Sequence, residues 1–72
     1  MLEPKVLARH IRNHRKAAGL SQLQLAELAG VGKTVVFDLE QGKETVRLDT
    51  LRKIMKVLNI DVLLKSPFLD NQ

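Results

Sequence analysis

Cysteine is absent from this 72-residue chain, which removes disulfides and thiolate metal sites together. No apolar run approaches the roughly 20 residues that a membrane-crossing helix needs. The opening MLEPKVLARH lacks the long apolar segment of a secretory signal. A cytoplasmic location without a membrane partner is therefore expected. Internal repeats and low-complexity stretches are missing as well. Catalytic signatures fare no better. Ser21 has no His/Asp arrangement near it, the carboxylates are scattered, and Gly32-Lys33-Thr34 lacks the earlier glycine and the strand of a phosphate-binding loop. His10 and His14 stand four apart, as in zinc sites, but two histidines rarely hold zinc alone and no HExxH is present. Neither an enzyme, a metal site nor a cofactor is expected.

What is present fits a small globular domain: 44% hydrophobic and 28% charged residues are too apolar for disorder. A chain this short buries only about 60% of its unfolded surface, so its stability is marginal and a dimer partner would help. The net charge of +4 is unevenly spread. Residues 1–20 carry five basic and one acidic side chain, residues 21–44 two basic and four acidic, and residues 45–72 five basic and three acidic. A nucleic-acid binder with an acidic middle grips backbone mainly from its flanks. The plainer reading of most of these cations is that they solvate helix faces.

Helical periodicity and its stop signals divide the chain. The spacing predicts a first helix over about 5–18, with Pro4 in its first turn and Leu7, Ile11 and Ala18 on one face. Gly19 ends it. Ser21 caps a second helix, with Gln24 three residues later as its capping-box partner. Leu25, Ala26 and Ala29 form its buried stripe, and Gly30 ends it after barely two turns. A third helix runs from Lys33 to Gln41 with Val36 and Leu39 inward, and Gly42 follows. A fourth covers about 48–58, with Leu48, Leu51, Ile54 and Leu58 as its core face. Asp49 in its first turn and Lys53 and Lys56 later suit the helix dipole. Ile60, Val62 and Leu64 then alternate with Asp61, Leu63 and Lys65 as a short strand would; a fifth short helix is the alternative. Residues 1–65 form one domain, and residues 66–72 read as a tail.

Two short helices joined by a glycine turn make a helix-turn-helix over 21–41. Ala26 is small where the helices cross, and Val31 and Val36 seat the second helix on the first. The amino end of helix three is left free to enter a major groove about 12 Å wide.

At this point the chain resembles the Cro/repressor-like helix-turn-helix family. The matching residues are Ile11, Arg12, Arg15, Lys16, Gly19-Leu20-Ser21-Gln22, Leu25-Ala26, Gly30-Val31, Val36, Leu39-Glu40, Gly42, Leu48, Leu51 and Leu58. It is most similar to the HipB-like antitoxin branch through Asp38-Leu39-Glu40, Gly42-Lys43, Thr45 to Asp49, and the strand-like Ile60 to Lys65. The resemblance implies an all-α, four- to five-helix fold with a short C-terminal β-strand. That strand, with Ile60, Val62 and Leu64 inward, would pair two chains into a homodimer. By position, Lys33, Thr34 and Asp38 fall on base-reading sites of helix three, and Phe37 beside them packs on a thymine methyl or covers Val35. Gln22, Gln41, Lys43 and Arg47 match positions that touch the DNA backbone, and Arg15 and Glu40 match a buried ion pair.

The chemistry agrees. Lys33 can donate to guanine O6 and N7, Asp38 can accept from cytosine N4, and Thr34 can hydrogen-bond or touch a methyl. Lys43 and Arg47 supply charge to phosphates without specifying sequence; for Lys43, plain solvation is an equal alternative. Asp38 is acidic near phosphates and reads as a discriminator against wrong sites. Gly32 stands where a serine or threonine often caps helix three. Leu23 and Leu28 occupy usually polar positions and are expected to extend the core, or else to form a partner patch.

The function expected is a repressor binding a palindromic operator on double-stranded DNA and serving as antitoxin to a HipA-type kinase toxin. The resemblance implies that the kinase is held on the dimer's flanks, with Arg9, Arg12, Lys16, Leu28, Phe68 and Leu69 as candidate contacts. A free-standing or phage-type repressor is the alternative, and an interaction module that has lost DNA binding is a third.

Overall fold

A computed structural model describes residues 3–61. It contains four α-helices: α1 Pro4–Ala17, α2 Gln22–Ala29, α3 Lys33–Glu40 and α4 Leu48–Val57. No strand occurs among the described residues. Val62, Leu64 and the tail lie outside them, so the expected dimer strand is not described beyond Asp61.

The helices start and stop for local reasons. Pro4 occupies the first turn of α1, where a missing N–H costs nothing. At α2 the capping box is complete: the Gln24 amide donates to Ser21 Oγ at 3.0 Å, and the Ser21 amide donates to Gln24 Oε1 at 2.8 Å. Gly32 gives α3 no side-chain cap. All four helices end alike, with a left-handed residue followed by an amide that reaches back five positions: Leu20 to the Arg15 carbonyl, Val31 to Ala26, Lys43 to Asp38, and Ile60 to Met55. Three of the left-handed residues are glycine and the fourth is Asn59, at φ 57°. At Gly30 this turn swings α3 across α2.

The core forms where the four apolar faces meet. Ile11, Leu25, Val36, Leu39 and Ile54 are the largest fully buried side chains. Leu7, Ala26, Leu51, Met55 and Leu58 complete it, and Leu20, Ala29, Val31, Val35, Val46, Val57 and Ile60 pack around the edge. Each fully buried leucine or isoleucine stabilises the fold by about 1.5–3 kcal/mol relative to leaving it in water.

Four expectations about burial are corrected. Leu48 is 71% exposed and Met55 is buried in its place. The core stripe of α4 starts one turn in, at Leu51, and Leu48 overhangs the packed body. Ala18 is exposed at the C-cap, and Ala8 and Arg15 take the inward positions of α1. Leu23 and Leu28 are not core: they are 48% and 63% exposed. At about 100° per residue, both lie more than about 100° from the face centred on Leu25, Ala26 and Ala29, on opposite flanks of α2. They therefore do not form one patch with each other.

Candidate nucleic-acid interface

On α3 the same angular argument separates two faces. Val36 and Leu39 point into the core. Lys33, Thr34, Phe37 and Asp38 fall within about 140° of one another on the opposite side. Lys33, Thr34 and Phe37 are exposed and Asp38 is half-buried. The structure thus brings the four base-reading candidates to one outward face. Phe37 is 48% exposed, with an aromatic surface that the core does not use.

The attitude of this face is set by a polar network behind it. Arg15 of α1 donates to Glu40 at the end of α3 through Nε to Oε2 at 2.6 Å and Nη2 to Oε1 at 3.0 Å. Its remaining terminal nitrogen, Nη1, donates to the Leu20 carbonyl at 2.8 Å. Gln22 Nε2 donates to Glu40 Oε1 at 3.2 Å. One carboxylate therefore ties α1, the start of α2 and the end of α3 together. The arginine and glutamate side chains are only 11% and 3% exposed, so this is a desolvated bidentate pair rather than a surface bridge. The hydrogen bond to Glu40 raises the Arg15 guanidinium above its ordinary value, aided by the carboxylate's charge and opposed by burial. Neither the Leu20 contact nor the Gln22 contact was read from the sequence. The first needs the geometry of the Gly19 turn, and the second pairs residues 18 apart.

The backbone-contact candidates are spread more widely. Gln22 stands at the first position of α2, half-buried and engaged with Glu40. Gln41 is the C-cap of α3. Lys43 Nζ lies 3.4 Å from Asp38 Oδ2, so a backbone candidate and a base-reading candidate hold each other. Arg47 sits before α4 with Asp49 Oδ1 at 3.3 Å. Its side chain is 82% exposed, and such a bridge holds a side chain only loosely. Val35, Asp38, Lys43, Val46 and Arg47 line a depression of about 190 Å³ beside the reading face. Ile60 packs against the core edge and its amide donates to the Met55 carbonyl at 2.9 Å. That amide belongs to the stop of α4 and is already taken.

Among the described residues no group of three or more His, Cys, Asp or Glu side chains is placed to hold a metal ion. No described helix is long and apolar enough to cross a membrane. His14 Nδ1 lies 2.7 Å from the His10 carbonyl oxygen, an ordinary contact one helical turn apart.

A four-helix body with an outward-facing α3 seated on α2 by a glycine turn is the helix-turn-helix arrangement, and the helix-turn-helix family HTH_3 matches residues 11–64. The chain belongs to this Cro/C1-like family. It is thereby a helix-turn-helix DNA-binding regulator. It is 38% identical to the control protein C.SmaI of Serratia marcescens over 81% of this chain and 69% of that one. It is 32% identical to the ImmF control region 10 kDa protein of Bacillus phage phi105, over 86% and 69% of the two chains. Among solved structures, a HipB–O2 20mer complex matches with a TM-score of 0.81 at 24% identity, covering 93% of both chains. A HipA–HipB–O2–O3 complex matches with the same TM-score and identity, covering 93% of this chain and 94% of that one. At that identity the likeness concerns the fold.

Proposed function

We propose that this chain is a sequence-specific repressor that acts as a HipB-like antitoxin, controlling its own operon and engaging a HipA-type kinase. The observation that carries the DNA-reading half is the outward face of α3, Lys33, Thr34, Phe37 and Asp38, held at a fixed attitude by Arg15, Glu40 and Gln22. Support for the antitoxin half comes from fold agreement over 93% of the chain with HipB in complexes that include O2 DNA and HipA. One reading helix per chain is too little for high affinity, so the operator is a palindrome bound by a dimer, with half-sites about one helical turn apart. A two-stranded ribbon from residues 60–65 of each chain would set that distance, resting on the helical core because a lone ribbon is marginal.

The test has two arms. In a gel shift, the DNA upstream of the chain's own gene is retained at concentrations that leave a scrambled duplex free. In the second arm, the product of the neighbouring gene co-purifies with the chain. Failure of the first arm ends the repressor reading. Failure of the second, with DNA binding intact, leaves a free-standing or phage-type repressor. That second reading is favoured by the higher identity, 38% and 32%, to a control protein and to a phage control-region protein.

A further inference from the structure

Four cations line one groove between α1 and the carboxyl end of α3. Lys5, Arg9, Arg12 and Lys16 recur at i, i+4, i+7 and i+11 along α1 and border a cleft of about 370 Å³, closed on its other side by Gln41 and Gly42 at the end of α3. None of the four forms an ion pair among the described residues. Glu40 also lines the groove, but its carboxylate is taken up by Arg15 and Gln22. The groove thus carries concentrated positive charge that no ion pair among the described residues neutralises. Gly42 shapes its floor: a Cβ there would stand 3.6 Å from Lys5 Cγ, so the lysine stem lies close over the turn.

We infer that this groove is a phosphate track for the DNA that continues past the base pairs read by α3, an inference resting on the DNA-reading half of the function proposed above. Two observations favour a nucleic-acid strand over an acidic protein segment. First, the groove is continuous with the expected backbone contacts. Gln41 forms part of its wall, and Gln22 is hydrogen-bonded to Glu40, which lines it. A strand held at Gln41 therefore has Arg12 and Lys16 along the same groove. Second, the cations extend over about 16 Å of helix, which equals the rise of about five nucleotides of one strand. The sequence groups Arg9, Arg12 and Lys16 as kinase contacts; the fold adds Lys5 and a second wall from α3, and the track assigns these cations to phosphate instead.

Such contacts position the protein and carry no sequence information, so mixed-sequence duplex DNA of about 30 base pairs serves as probe, with affinity measured across a salt series. The full chain is compared with the pairs Arg9→Gln/Arg12→Gln and Arg9→Lys/Arg12→Lys. All four of these positions in the stripe are exposed, and thermal melts establish that the variants stay folded. Each lost phosphate contact makes the slope of log K against log salt shallower by about 0.9, so the glutamine pair is expected to lose about 1.8 and the lysine pair to keep the wild-type slope. A glutamine pair with an unchanged slope overturns the track and leaves the groove to a protein partner. A lysine pair that loses as much as the glutamine pair also overturns it, because charge is then not what the groove supplies. If the wild-type chain binds no duplex at all, the track falls together with the DNA-reading half of the proposed function.

Discussion

Arg15 and Glu40 are 25 residues apart in sequence and meet through two charge-assisted hydrogen bonds of 2.6 and 3.0 Å. Their meeting fixes where the reading helix ends relative to α1. Glu40 also receives Gln22 at 3.2 Å. The position expected to touch a phosphate is therefore braced by the same carboxylate that ties the outward-facing α3 to α1. A change in this pair is expected to shift the outward face of α3 as well as to lower stability.

Glu40→Gln strands the Arg15 charge in a desolvated site. It should cost about 3–5 kcal/mol, which for a domain of this size lowers Tm by more than about 10 °C. Arg15→Lys should also destabilise, because an ammonium cannot make the bidentate contact and reach the Leu20 carbonyl together. Pairing raises the guanidinium's proton affinity. The contribution is therefore fully present below the unfolded-state value and is lost only as pH rises past the folded-state value in strong alkali. The Tm gap between wild type and Glu40→Gln should accordingly be equal at about pH 7 and about pH 9. A Glu40→Gln melt that overlays wild type contradicts the buried-pair account.

Lys33→Ala should cost about 1–3 kcal/mol on the preferred site and relax the preference at one base pair. Titration of a preferred and a scrambled duplex measures both. Equal losses on the two duplexes would place Lys33 among the backbone contacts instead.

Asp38 and Lys43 make the opposite kind of prediction. Their 3.4 Å bridge engages a cation expected to meet the DNA backbone and sets an anion on the face expected to read bases. Asp38→Asn frees Lys43 and removes a charge that phosphates repel. Affinity for mixed-sequence DNA should rise roughly 1.5- to fivefold, the range expected for an exposed pair, and discrimination should narrow. Lys43→Ala in the same background should cancel most of the gain. No gain in Asp38→Asn, measured at low salt, means that the bridge does not restrain binding.

The helices and their stops were legible because local chemistry decides them. Pro4, the Ser21/Gln24 box, and Gly19, Gly30 and Gly42 act within a few residues of where they stand. Resemblance assigns Lys33, Thr34 and Asp38 to reading positions and sets Phe37 beside them as a departure; that all four share one outward face is seen on α3 itself. What the sequence concealed depends on how the helices are cut off and arranged. Leu48 continues the apolar period of α4 yet overhangs the body, and Leu23 and Leu28 are apolar but lie at the flanks of α2. The Gln22 to Glu40 contact and the cationic groove each require two helices that only the tertiary fold brings together.

The last prediction concerns Asn59, the one non-glycine among the described residues with positive φ, at 57°. Its conformation lets the Ile60 amide reach the Met55 carbonyl at 2.9 Å and seats Ile60 on the core edge. The left-handed region costs ordinary residues about 1–2 kcal/mol, less for asparagine and nothing for glycine. Asn59→Gly should therefore stabilise by less than about 1 kcal/mol, because glycine's greater freedom in the unfolded chain offsets part of the relief. Asn59→Val should destabilise by at least about 1 kcal/mol, since a β-branched residue fits this region poorly. The effect should reach assembly as well. Residue 60 is where the chain leaves α4 toward the segment proposed to form the dimer ribbon, so a weakened stop redirects that segment. Sedimentation of Asn59→Val should show a weaker dimer than wild type, and Asn59→Gly a dimer at least as tight. If Asn59→Val melts earlier while its dimer is unchanged, the helix stop contributes to stability alone and the ribbon is anchored elsewhere.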